Sequence, residues 1–334
     1  MNSFFTRQSK TIFALTLLFL PIVVSGSWSL LTFRVDPQPS GGLTVMTYNI
    51  HEAINVNNQL DLNAIFTTIQ QANPDILVLQ EVDTGVIMSG GTDQAIWLAR
   101  HLNMYLAPVT STNHIWQSDV ILSKYPILAY DSIVLQSPSE DDTLLRADIE
   151  IPGMEISVYA VHFSAFSSAD RRVQADVALP WITSTPGLKI WAGDFNIDAY
   201  GSDSTDQGIY ADISTHFNDS FLVALSVIGN LTWPSTGPRE RIDYVFVTPT
   251  ISVLSHMVPS SFASDHLPVF VQLLPPSSPF AKELQVPPLI TDTVLNPPPL
   301  PSRSLPKDSL SLIRRNLVLV NDFFSVGRKV IIQC

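Results

Sequence analysis

The 334-residue chain holds a single cysteine, Cys334, at its last position. An internal disulfide and a thiolate metal cage are both excluded within one copy of the chain. Basic side chains are scarce as well, 18 Lys and Arg against 30 Asp and Glu, for a formal net charge of −12. The imbalance is concentrated in the middle: positions 35–302 carry nine basic and 28 acidic residues, a net of −19. Such a surface repels polyanions and attracts cations. It suits a divalent metal and argues against tight sequence-independent DNA binding, while leaving room for a local basic patch. Internal repeats, a Walker loop, a Rossmann glycine pattern and a serine-nucleophile elbow are all missing. The apolar fraction of 46% is enough for a sizeable core and too high for a disordered chain.

The two ends differ from the middle. Arg7 and Lys10 precede an apolar run from Thr11 to Val24, followed by Ser25-Gly26-Ser27. This is the pattern of a secretory signal; read through to Phe33, it is also long enough for an uncleaved anchor. Residues 1–35 are therefore expected to be a signal peptide or signal anchor that places the following domain outside the cytoplasm, secreted or membrane-attached. Residues 36–274 are expected to form one catalytic domain. Residues 275–306 contain ten of the 25 prolines and read as a linker, and 307–334 as a basic, apolar tail.

Within 36–274, apolar runs and helical spacing alternate. Leu43 to Asn49 reads as a strand, Leu62, Ile65, Phe66 and Ile69 as a helix face, and Ile76 to Leu79 as a buried strand ending in Gln80-Glu81. Gln94 to Leu102 and Asp170 to Ile182 read as helices. Short strands are expected at Val120–Leu122, Ile133–Leu135, Leu144–Ile149, Ile156–His162, Leu188–Ala192, Arg241–Val247 and Val269–Leu274. The order argues for an α/β domain. At Ala192-Gly193-Asp194-Phe195-Asn196, the glycine is expected to turn the chain out of the sheet. Continued strand geometry would then point Asp194 and Asn196 the same way.

Polar residues gather at the ends of these strands: Asn49, Glu81, His162, Asp194, Asn196, Asp243, Asp265 and His266. If the ends share one rim, they make a set suited to phosphoester hydrolysis. Carboxylates hold Mg²⁺ or Mn²⁺ through hard oxygens, His and Asn bond the phosphate, and a carboxylate or a His–Asp pair prepares a water. The bland alternatives are turn-forming Asp and Asn, and a histidine satisfied by a structural hydrogen bond.

The ordered strings TYNI, LQEV, ILSKYPI, VHF, AGDFN, RIDYVFV and SDHLPV, between residues 43 and 274, resemble the endonuclease/exonuclease/phosphatase superfamily with the DNase I-like fold. The resemblance implies an α/β four-layer sandwich of two packed mixed β-sheets flanked by helices. It implies a metal-dependent phosphoric ester hydrolase with Glu81 as principal metal ligand and Asn49 and Asp265 near the same ion. Asp194 resembles the residue that orients the nucleophilic water, Asn196 its partner on the phosphate, and Asp243 the residue that orients His266. His162 resembles the histidine at the scissile phosphate or leaving group, and Arg146 a recurrent structural arginine. His51 stands where several nucleases of the group have an acid. Asp119 replaces a small or amide residue and is expected in a solvated turn.

HEAINVNNQLDLNAI, GGTDQAIWLARHLNM and TWPSTGPRERIDYVF look closest to an exported or membrane-linked bacterial branch similar to GPI-anchor lipid-remodelling proteins. An acidic domain beside a bilayer, with Trp116, Phe163, Phe166 and Trp233 near the motifs, fits a phospholipid or small phosphodiester better than DNA. A secreted nuclease and a non-catalytic binding module are the alternatives.

Overall fold

Several strands of this chain are apolar on both faces, which only a sheet covered on both sides can hold. In Ile76–Asp83 the side chains of Ile76 and Val78 alternate with those of Leu77 and Leu79, and all four are fully buried. The computed structural model describes residues 42–87, 89–109 and 117–276. The expected leader at 1–35, the tail at 307–334, nearly all of the proline-rich linker and Trp116 lie outside them.

Two mixed sheets form. The first runs, edge to edge, β10 (Ser226–Ile228), β12 (Ser252–Met257), β13 (Val269–Leu274), β1 (Leu43–Asn49), β2 (Ile76–Asp83), β4 (Gln117–Ser123) and β3 (Tyr105–Pro108). The second runs β5 (Ile127–Leu135), β6 (Asp142–Ile151), β7 (Met154–His162), β8 (Leu188–Asp194), β11 (Asp243–Val247) and β9 (Asn218–Asp219). β1–β2, β7–β8 and β10–β12 are parallel pairs, and the remaining pairs are antiparallel.

Three apolar layers hold the sandwich together. Val45, Val78 and Ile121 of the first sheet meet Ala147, Val158 and Ile190 of the second. Met46, Leu77 and Leu79 on the first sheet's outer face pack under α1 (Leu62–Ala72) and α2 (Gln94–Leu102) through Ile65, Ile69 and Leu98. On the other outer face, Tyr159, Trp191 and Phe246 pack under α3 (Ser168–Ser184) and α4 (Ser204–Ser214) through Ala178, Ile182 and Ile209. Each large aliphatic or aromatic side chain so buried contributes roughly 1.5–3 kcal/mol. The helices start where their caps dictate: Asp61, Asp93, Ser167 and Asp203 each accept a first-turn N–H. This is the expected four-layer α/β architecture.

Strands Tyr105–Pro108 and Ser252–Met257 were not expected from the sequence; both lack a clean alternation. Asp119 is corrected more sharply. It lies within β4, 3% exposed, rather than in a solvated turn. The strand continues through it because β2 pairs with Val120 and Ser118 on either side of it, leaving Asp119 opposite the β2 bulge. Among the described residues no helix is long and apolar enough to cross a membrane.

Candidate active site

Strand register builds the site. In the second sheet His162 pairs with Asp194, and Asp194 with Asp243, so three functional residues stand side by side across β7, β8 and β11. In the first sheet Asn49 ends β1 beside Gln80, next to Glu81, while Asp265 and His266 lead into β13, the other neighbour of β1. The two sets meet at one pole of the sandwich.

Gly193 does not turn the chain, as the sequence suggests; β8 runs through it to Asp194. A Cβ on Gly193 would lie 1.9 Å from the carbonyl oxygen of Val161, so glycine is required by the close approach of β7. The turn falls at Asn196, whose φ of 51° ends the strand geometry. Asn196 and Asp194 therefore do not project as successive strand side chains. Instead the Asn196 N–H donates to Asp194 Oδ1 (2.9 Å), and its amide donates to the Phe163 carbonyl (2.8 Å).

Glu81 also breaks its strand. Its φ is 52°, and the β2–β4 register shifts between Leu79 and Val82. This bulge re-aims the carboxylate out of the ladder. Asn49, fully buried behind it, donates from one amide nitrogen to Glu81 Oε1 (2.8 Å) and Asp194 Oδ2 (3.0 Å). The two carboxylates thus converge on a common point. Asp194 Oδ2 also faces His266 Nε2 at 3.5 Å and His162 Nε2 at 3.7 Å, while Glu81 Oε1 lies 3.9 Å from His162 Nε2. His266 Nδ1 hydrogen-bonds Asp243 Oδ2 at 3.0 Å.

The electrostatics follow from burial against charge. Burial alone would lower both histidines. The carboxylates of Asp243 and Asp194 outweigh it at His266 and raise its pKa to about 10. Asp194, Glu81, Asp119 and Asp142 raise His162 to about 9. Burial and then the charge of Asp243 push Asp194 upward, with both histidines opposing. Burial lifts Asp119 to about 8 and Asp142 to about 7.

A cleft of about 440 Å³ opens over this group, lined by Glu81, His162, Asp194, Asn196, Asp265 and His266 among others; Asn49 and Asp243 are buried behind it. Trp233, expected near the motifs, lines the cleft, while sequence reading missed Asp198, Glu240 and an Arg171–Asp206 pair with two contacts of 2.9 Å. Arg171 and Asp206 are polar residues on inward helix faces, a signal that periodicity offers but no motif marks. Phe163, expected near the substrate, is fully buried in the core, whereas Phe166 is exposed. Arg146 forms a structural pair with Asp148. His51 bonds the Ile54 carbonyl and lies 3.6 Å from Asp265.

The donor set fits a divalent cation. Two carboxylates share one amide donor and a third lines the same cleft, so hard oxygens converge without a lysine or arginine between them. Asp194, Asp243 and His266 also offer ligand atoms within 4.8 Å of one another and could hold a metal. An ion there would compete with the Asp243–His266 hydrogen bond. Glu81 and Asp265 both line the cleft, with Asn49 bonded to Glu81.

Comparison with known proteins bears on the family and the fold. The model of the Endonuclease/Exonuclease/phosphatase family matches residues 46–266, which include every residue of the set above. A search of curated proteins finds no significant match. Among solved structures, the mannosyl-6-phosphatase of Bacteroides thetaiotaomicron superposes with a TM-score of 0.60 at 17% identity, over 70% of this chain and 99% of that one. An endonuclease/exonuclease/phosphatase from Beutenbergia cavernae gives 0.55 at 24% identity, over 70% and 72%. TDP2 of D. rerio, in complex with a single-strand DNA product, gives 0.56 at 15% identity, over 70% and 100%. These likenesses establish the fold. The family match spans most of the chain: the chain belongs to the endonuclease/exonuclease/phosphatase family and is a phosphoester hydrolase.

Proposed function

We propose that the chain is a divalent-metal-dependent phosphodiesterase that acts outside the cytoplasm on phospholipid or another small phosphodiester. One observation carries the choice of substrate. The cleft wall bears six carboxylates, Glu81, Asp194, Asp198, Asp206, Glu240 and Asp265, and a single arginine, Arg171, already engaged by Asp206. A nucleic-acid track needs a row of free Lys and Arg along the backbone. The described cleft offers none. The proposed location outside the cytoplasm rests on the signal-like sequence at residues 1–35.

Bound Mg²⁺ or Mn²⁺, held by Glu81 with Asn49 and Asp265, would supply charge neutralisation at the phosphate. The protein's own residues do the rest. Asp194, raised by burial, takes the proton of the attacking water. His162 and His266, both charged at neutral pH in the metal-free protein, present N–H donors to phosphate oxygens and the leaving group. Asn49 and Asp243 are positioning residues: one fixes Glu81 and Asp194, the other orients the His266 ring. Superposition on a mannosyl-6-phosphatase and on TDP2 supports the phosphoester class.

The test offers plasmid DNA, bis-p-nitrophenyl phosphate and a phospholipid panel to the full chain, with and without EDTA. Head-group release that EDTA and Glu81→Ala both abolish is the expected result. Plasmid nicking with the same controls would make the protein a nuclease. Metal binding without turnover on any substrate would leave only a binding module.

A further inference from the structure

Apolar side chains displayed to water carry information when they lie together. Three loops leave the catalytic pole of the first sheet: 50–61 after β1, 84–93 after β2, and 258–268 before β13. Each carries an exposed apolar residue, Leu60 at 45%, Ile87 at 91% and Phe262 at 63%. The loops touch. The Val56 N–H donates to the Phe262 carbonyl at 3.3 Å, and the Gly90 N–H closes a turn on the Ile87 carbonyl at 3.1 Å. Leu60 Cδ2 lies 3.4 Å from the place a Cβ on Gly90 would take. The third loop continues to Asp265 in the cleft wall, and His51, at the root of the first, lies 3.6 Å from the same carboxylate. The patch therefore borders the cleft. On the second sheet's side Phe166, 71% exposed, follows the cleft-lining Ala165. None of these four side chains has a part in the hydrolytic chemistry.

We infer that Leu60, Ile87, Phe262 and Phe166 form an interfacial rim that seats the cleft on a zwitterionic lipid surface. A phospholipid head group then enters between them while the rim stays at the boundary of the acyl chains. The inference rests on the phosphodiesterase reading and narrows its substrate to lipid in a bilayer. Charge selects the surface: with nine basic and 28 acidic residues in 35–302, an anionic bilayer repels the domain. A zwitterionic bilayer imposes no such penalty, and insertion of apolar side chains supplies the affinity.

The lone Cys334 makes site-specific labelling simple. In the full chain carrying Cys334→Ser, a polarity-sensitive fluorophore is placed at Ile87→Cys, Phe262→Cys or, as a control on β5, Leu128→Cys. With phosphatidylcholine vesicles, emission at 87 and 262 is expected to shift to the blue, with a smaller shift on phosphatidylglycerol and none at 128. The Ile87→Asp/Phe262→Asp double variant should lose about tenfold or more in vesicle hydrolysis while bis-p-nitrophenyl phosphate turnover stays unchanged. The N-terminal segment is the same in every variant, so differences report the rim. Silent probes at 87 and 262, or equal vesicle hydrolysis by the double variant, would overturn the rim. Failure of the wild type on the soluble diester would instead strike the phosphodiesterase reading, and the fluorescence result would still stand or fall alone.

Discussion

Burial of His256 makes the fold acid-sensitive. It lies on β12 between Val227 and Val271 of the neighbouring strands, fully buried. Its Nδ1 hydrogen-bonds Ser220 Oγ at 3.0 Å, its Nε2 has no partner, and the Phe221 ring meets it edge-on at 5.6 Å. Burial first, then the charge of Arg241, lower its pKa to about 4, against the pull of Asp219. In the unfolded chain the imidazole titrates near 6.5. As pH falls through 6.5 the unfolded state takes up the proton and the folded state does not, so stability is lost until about pH 4 and levels off below. The full loss is about 3 kcal/mol, of which about 2 kcal/mol falls between pH 7.5 and pH 5. That is a large share of a typical stability of roughly 5–15 kcal/mol. Carboxylates titrate in the same window, so the comparison must be differential. Urea unfolding of the wild type and His256→Gln at both pH values isolates the histidine. The wild type should lose about 2 kcal/mol more than the variant over that interval. Parallel losses in the two proteins would refute the reasoning.

Other consequences concern the catalytic pole. Asp194→Asn keeps the shape and removes the base; kcat on the soluble diester should fall by about 10²–10⁴ with KM little changed, and a pure KM effect would remove Asp194 from the chemistry. Asn49→Ala deletes two hydrogen bonds to carboxylates, each of the order of 1.5–3 kcal/mol. Its thermal midpoint should drop more in Mg²⁺ than in EDTA, because Asn49 also helps to hold the cation and the variant loses part of the stability that binding supplies; an equal drop in both media would count against that account. Gly193→Ala must push β7 and β8 apart where a Cβ would meet Val161 at 1.9 Å. Destabilisation by more than about 3 kcal/mol, or failure to fold, is expected, and a well-folded, fully active variant would show that the strands can yield.

Much of the sandwich was legible because its signals are local. Leu62, Ile65 and Ile69 sit at helical spacing, and Leu77 and Leu79 alternate with Ile76 and Val78, so each element announces its own period. The identities at the strand ends were legible too, since polar residues that close apolar runs stand out one by one. Conformation at those ends was not. The left-handed backbone of Asn196 and the bulge at Glu81 depend on which strand lies alongside, and a sequence read in one dimension has no neighbour to consult. Gly193 illustrates the same gap, its necessity coming from Val161, thirty-two positions away. Asp119 looks like a turn acid beside Gln117 and Ser118; only the pairing of β4 with β2, on either side of it, keeps it in a strand.

The features that escaped sequence reasoning, burial and backbone conformation rather than identity, share a physical character, for they oppose stability. Asp119 Oδ2 and Asp243 Oδ1 are buried without a partner. Glu81 and Asn196 hold positive φ values that cost of the order of 1 kcal/mol each. Asp194 is nearly sealed from water beside a second carboxylate, Asp243, against which it is paired in register. Sequence patterns report what stabilises an element, so the burial and strain of these groups leave little trace even where their identities stand out. All of these lie within one pole, where His162 and His266 partly offset the carboxylates and Asn49 links two of them. A cation bound there favours the folded state by an amount that grows with the logarithm of its affinity, because the unfolded chain has no such convergence to offer. The strain at this pole and the chemistry of the site therefore have one cause: carboxylates held closer together than the bare fold would choose.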